Sequence, residues 1–107
     1  MPNKYKNVEQ IVDGIKFQSR REATRYAELK LLARSGLIQN LRLQVPFELI
    51  PKQQGERSVK YIADFVYTEN GETVAEDTKS EITRANPTYI LKRKLLLWVH
   101  GLRIKEV

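Results

Sequence analysis

Residues 41–49 alternate without a break: Leu41, Leu43, Val45, Phe47 and Leu49 are apolar, and Arg42, Gln44, Pro46 and Glu48 separate them. A period of two predicts a half-buried strand. Pro46 has no amide proton to donate to a ladder, which puts this strand at a sheet edge or marks a bulge. Further on, two β-rich runs flank Asn70-Gly71. A two-residue type I′ turn needs positive φ at both positions, and Asn-Gly supplies it, so a hairpin is predicted. A second, smaller hairpin is predicted at Asp13-Gly14, between Gln10-Ile11-Val12 and Ile15-Lys16-Phe17. Ahead of it, residues 1–9 are polar and read as an arm.

The period changes to that of a helix over 19–35. Glu22, Tyr26, Leu29 and Ala33 share the face expected to meet the sheet, with Ala23, Ala27 and Leu31 assigned beside them. Arg21, Thr24, Arg25 and Glu28 are assigned to the wet side. Ser19 is the N-cap, Glu22 completes an S-x-x-E capping box, and Gly36 ends the helix. A polar connection at 51–57 joins the 41–49 strand to the Asn70-Gly71 hairpin. Residues 80–87 read as a loop. A second helix is predicted over 88–99, with Ile90, Leu91, Leu95 and Trp98 toward the sheet, Lys92 and Arg93 more outward, and Gly101 as its stop. Residues 102–107 close as a short strand. The order is helix, three-strand meander, helix, strand. A helix between strands lets the last one join in parallel by a right-handed crossover. The expected fold is therefore α/β, a mixed four-stranded sheet with flanking helices and a small N-terminal hairpin. It forms a single domain, with residues 1–18 as arm and ribbon and 19–107 as the body.

Composition narrows the possibilities. A chain of 107 residues has room for one core. There is no Cys, which excludes thiolate chemistry and disulfides and fits a reducing cytoplasm. No signal-peptide core is expected, and the run Leu95-Leu96-Leu97-Trp98-Val99 is far short of the ~20 residues that span a bilayer. The formal net charge is +6, from 19 Lys and Arg against 13 acids, which points to a polyanionic partner or to a Lys-rich solvated surface.

The chemistry gathers on the hairpin. With Asn70 and Gly71 as the loop, Glu69 pairs with Glu72, and the register sets Asp64 opposite Asp77. Lys79, two residues on, shares the face of Asp77, and Glu76 points to the other face. Directly opposed side chains lie about 4.5–5.5 Å apart at Cβ. Two carboxylates so placed destabilise the fold unless a cation or a lysine offsets them. Arg84, Lys92, Arg93 and Lys94 form a basic cluster suited to phosphate contacts, or to a solvated helix face. His100, alone at a helix end, is given no catalytic role.

An Asp in the second strand of the meander and D-x-K at the end of the third, within the order αβββαβ, resemble the PD-(D/E)-x-K nuclease superfamily. The motif residues are Ala63-Asp64 and Asp77-Thr78-Lys79. Ala63 stands where the signature has Pro, and Ser80 where a Gly often follows the Lys. The stretches SRREATRYAELKLL, LQVPFELIP, YIADFVY, EDTKS and LKRKLL resemble a phage and prophage domain family of unknown function within that superfamily. The resemblance implies a restriction-endonuclease-like core. It also implies a Mg²⁺- or Mn²⁺-dependent DNA endonuclease or junction resolvase, with Asp64, Asp77 and Glu22 at the metal and Lys79 beside the phosphate. DNA would be the partner, a homodimer the active form, and the cytoplasm (the host's, if phage-encoded) the location. The alternatives are a non-catalytic DNA-binding accessory protein that kept the fold, and a structural phage component whose acids bind cations.

Overall fold

The computed structural model describes residues 9–107; most of the N-terminal arm lies outside them. The elements follow the chain as β1 (Gln10–Val12), β2 (Ile15–Phe17), α1 (Arg20–Arg34), β3 (Gln39–Ile50), β4 (Val59–Glu69), β5 (Glu72–Asp77), α2 (Glu81–Arg84), α3 (Pro87–His100) and β6 (Lys105–Glu106). β1 and β2 form the predicted ribbon, and the main sheet runs β3-β4-β5-β6. β3 to β5 are antiparallel neighbours, and β6 joins β5 in parallel, so the sheet is mixed as expected.

Turn chemistry sets the frame. Asp13 and Gly14 have φ of 53° and 75°, Asn70 and Gly71 of 51° and 80°, as type I′ turns require. The ladder from Glu69↔Glu72 to Phe65↔Glu76 keeps the register read from Asn70-Gly71. Pro46 pairs opposite Ile62 on β3, which is the sheet's outer strand.

Two apolar clusters lie on the sheet. One joins Phe17, Ala23, Tyr26, Leu29 and Ile38 to Phe65 and Tyr67. The other joins Leu49, Tyr61, Ala63, Val66 and Ala75 to Tyr89, Leu96 and Ile104. The alternating residues of β3 divide between them: Leu41 and Leu43 pack with the α1 cluster, Val45 and Phe47 with the α3 cluster. The change comes at Gln44, whose φ is +51°, between the pairs Leu43↔Phe65 and Val45↔Ala63. A non-glycine residue in the left-handed region is strained. Here it accompanies a change of face in β3, and Asp64 is the residue of β4 between Ala63 and Phe65.

Five expectations are corrected. Leu31 is 65% exposed, because it lies nine residues, two and a half turns, beyond Glu22. Arg25 is not on the wet side: three residues from Glu22, it is that residue's neighbour on the helix surface, and it reaches into the sheet. On α3 the buried residues are Tyr89 and Leu96, whereas Leu91 and Trp98 are 59% and 83% exposed. Trp98 is again two and a half turns from Tyr89. Residues 80–87 are not all loop, since Ser80 Oγ accepts the Thr83 N–H at 3.2 Å and caps the single turn α2. The closing strand is only two residues long: Lys105 and Glu106 pair with Glu76 and Asp77, and the Val107 N–H adds one bond to the Asp77 carbonyl.

Candidate active site

Asp77 closes β5 with its main chain held on the β6 side, where its carbonyl accepts the Val107 N–H at 2.9 Å. Its side chain is fully buried. Oδ1 accepts the Asp64 N–H at 2.7 Å, Oδ2 accepts the Tyr61 hydroxyl, and Lys79 Nζ lies 3.6 Å from Oδ2. Burial pushes Asp77 up to about 6, and the charge of Asp64 adds to the rise. The same burial, with Asp77 as the acceptor of its hydrogen, raises Tyr61 beyond any ordinary titration.

The Asp64 carboxylate turns away from that contact. Its Oδ2 accepts from the Thr78 N–H at 3.0 Å and the Thr78 hydroxyl at 3.1 Å. Gln44 Nε2 lies 3.3 Å from Asp64 Oδ1 and 3.3 Å from Glu22 Oε1, so one amide bridges the two acids. Glu22 is 8% exposed in the first turn of α1, where its N–H donates to Ser19 Oγ at 3.2 Å. Desolvation raises its pKa, the charge of Asp64 raises it further, and the Gln18 backbone opposes both. Lys79 Nζ stands 4.9 Å from the centre of the Tyr89 ring, a cation–π distance. Arg21 Nη1 donates to the Lys79 carbonyl at 3.3 Å.

The predicted residues Glu22, Asp64, Asp77 and Lys79 are thus brought to one end of the sheet. Asp64 and Asp77 interlock through backbone amides rather than facing each other as two carboxylates. Among the described residues, no three His, Cys, Asp or Glu side chains close into a ready-made cation cage. The basic cluster is divided. Arg84 and Arg93 lie 3.8 and 3.6 Å from Glu106 oxygens, Lys92 and Arg93 are half-buried rather than outward, and Lys94 is exposed.

Gln44, Tyr61 and Thr78 were missed in the sequence. Nothing in the 41–49 alternation marks Gln44. Tyr61 reads as one more apolar position, although a buried hydroxyl needs a partner. Glu76 does face away from Asp77, as the register requires, and meets Arg25 there. The guanidinium Nε and Nη2 each lie 2.7 Å from a carboxylate oxygen, and Tyr67 donates its hydroxyl as well. Burial alone would raise Glu76, but Arg25 and Tyr67 hold it below the ordinary carboxylate range.

The chain belongs to the family described as Protein of unknown function (DUF1064), whose model matches residues 2–101. No curated protein and no solved structure matches it. Among the described residues, no helix is long and apolar enough to cross a membrane.

Proposed function

We propose that this protein is a metal-dependent DNA endonuclease of the PD-(D/E)-x-K type, acting on duplex or branched DNA. Glu22, Asp64 and Asp77 are its metal-holding acids, and Lys79 is their cationic partner. One observation carries the reading. Glu22, Asp64, Asp77 and Lys79 meet at one end of the sheet, joined through Gln44 Nε2 and the Asp64 N–H, and burial together with the charge of Asp64 raises Glu22 and Asp77. Carboxyls pushed toward protonation by burial and by a neighbouring acid are a mark of functional sites.

The donor set fits a hard divalent cation such as Mg²⁺ or Mn²⁺, since carboxylate oxygens are the ligands these ions take. Glu22 and Asp64, which share the Gln44 Nε2 donor, would hold the ion together with Asp77. When bound, the ion supplies an activated water and neutralises charge on the phosphate. The chain does the rest. The Asp64 N–H and the Tyr61 hydroxyl fix the Asp77 carboxylate, Thr78 fixes that of Asp64, and Lys79 offsets the charge that develops on phosphate.

The test is cleavage of linear duplex, single-stranded, flap and four-way-junction DNA with Mg²⁺ or Mn²⁺. The unaltered protein is expected to cut at least one substrate and Asp77→Ala none. Cutting by both would place the chemistry elsewhere. The second reading is a non-catalytic DNA-binding accessory protein of a phage. It is favoured by the fact that Asp64 and Asp77 already accept hydrogen bonds from the chain's own donors, and binding without cleavage on every substrate would select it. We propose a homodimer as the active form, because one domain carries one site and a duplex has two strands. Light scattering with and without DNA decides, and a monomer in both would sink it.

A further inference from the structure

Two cavities flank the segment that carries Thr78 and Lys79. One, of about 410 Å³, is lined by Arg20, Arg21, Thr24, Arg25 and Glu28 of α1 and reaches Thr78. The other, of about 470 Å³, is lined by Lys60, Lys79, Lys92 and Thr88, and no acidic residue lines it. The Arg21 hydrogen bond to the Lys79 carbonyl joins the two sides across the segment. Among the described residues, neither Arg20, Lys60 nor Lys92 forms an ion pair with an acid. Arg84 and Arg93, by contrast, lie against Glu106.

We propose that a nucleic-acid strand crosses the Thr78–Lys79 edge, its phosphate backbone held by Arg20 and Arg21 on one side of the carboxylates and by Lys60 and Lys92 on the other. This deepens the nuclease reading and rests on it. A small free anion gains nothing from a seat beside Asp64 and Asp77, which repel it. A polyanionic strand is different, because cations on both flanks hold it while one of its phosphates passes the acids. Such contacts set register and orientation without reading bases. The path takes Lys92 from the basic cluster and leaves Arg84 and Arg93 out.

The experiment is a salt titration of binding to a fluorescent duplex in chelator, so that nothing is cut, with melting curves to confirm that each variant folds. Arg21 is left intact because it also holds the Lys79 carbonyl. Each lost phosphate contact lowers the slope of log K against log salt by about 0.9. Arg20→Ala is therefore expected to flatten the slope by about 0.9 and the pair Lys60→Ala with Lys92→Ala by about 1.8. Arg84→Ala with Arg93→Ala is expected to leave it unchanged. Unchanged slopes in the first two variants, a flattened slope in the third, or no salt-dependent binding by the unaltered protein would each overturn the path. The predicted slopes without cleavage in Mn²⁺ would uphold the path and reject the nuclease, whereas cleavage with unchanged slopes would do the reverse.

Discussion

The Asp77 carboxylate accepts the backbone N–H of Asp64 at 2.7 Å, so two acids one step beyond the Phe65↔Glu76 pair are joined side chain to main chain. The bond leaves the Asp64 carboxylate free to turn toward Thr78 and Gln44, yet close enough for its charge to raise both Asp77 and Glu22. The geometry holds the charges together, and Lys79 and the hydrogen bonds offset them only in part.

Neutralising one acid should therefore stabilise the metal-free protein. Asp64→Asn keeps an oxygen for the Thr78 donors and removes the repulsion. We expect a gain of about 1 kcal/mol, or about 4–8 °C in melting temperature for a domain of this size. Mn²⁺ should raise the melting temperature of the unaltered protein, because a ligand of the folded state stabilises it, and should not raise that of Asp64→Asn. An undiminished Mn²⁺ shift in the variant would mean that the ion sits elsewhere.

Asp77 gives the protein a pH dependence of unusual sign. Its pKa rises from 3.8 to about 6 on folding, so the folded chain holds this proton more tightly than the unfolded one. The resulting contribution is fully present below 3.8 and is lost as pH rises through about 6. It amounts to about 3 kcal/mol, at about 1.4 kcal/mol per pKa unit. Glu76, with its lowered pKa, acts in the opposite sense, so the clean measurement is a difference. Urea unfolding of the unaltered protein and of Asp77→Asn between pH 4 and 7 should show the variant gaining relative stability as pH rises. Parallel curves would reject the assignment.

The Arg25–Glu76 pair carries a different expectation. Glu76 is fully buried and the guanidinium meets both its oxygens. Removing Arg25 leaves the buried charge with only the Tyr67 hydroxyl and Lys105, 3.9 Å from Oε2, at a cost of up to about 3–5 kcal/mol. Arg25→Ala should lose that much in urea unfolding, while the added change Glu76→Gln should recover part of it. A loss below about 1 kcal/mol would show that water reaches the carboxylate.

The sequence reading succeeded where one local rule decides the outcome. Asn-Gly and Asp-Gly announce their turns because few other residues tolerate positive φ, and the register as far as Phe65↔Glu76 follows from counting; one step on, Asp64 and Asp77 meet side chain to main chain and not as facing carboxylates. It failed where a rule of period meets a choice of face. α3 carries apolar residues around much of its circumference, from Ile90 through Val99, and the pattern does not say which stripe the sheet will cover; it covers Tyr89 and Leu96 and leaves Trp98 out. Arg25 was misplaced because a long side chain can run over apolar surface to a buried acid. Gln44 was invisible because β3 changes face there while its alternation continues unbroken.

The choice between Glu22 and Glu28 follows from these geometries. Glu22 is buried at the sheet end, shares Gln44 Nε2 with Asp64, and is raised by burial and by that neighbour. The Glu28 side chain is 58% exposed and lies 3.4 Å from Arg25. The competing role for Glu22 is the capping box. Its N–H does bond Ser19 Oγ, but its carboxylate accepts from Gln44, which belongs to the site rather than to the cap. Glu22→Gln preserves an oxygen for Gln44 and removes a buried charge, so stability should hold or rise. Cleavage should fall about 10–100-fold, as when a group that supports a metal or its water is lost. Glu28→Gln should cut normally. A Glu22→Gln protein with full activity beside an inactive Glu28→Gln would show that the helix supplies its other glutamate.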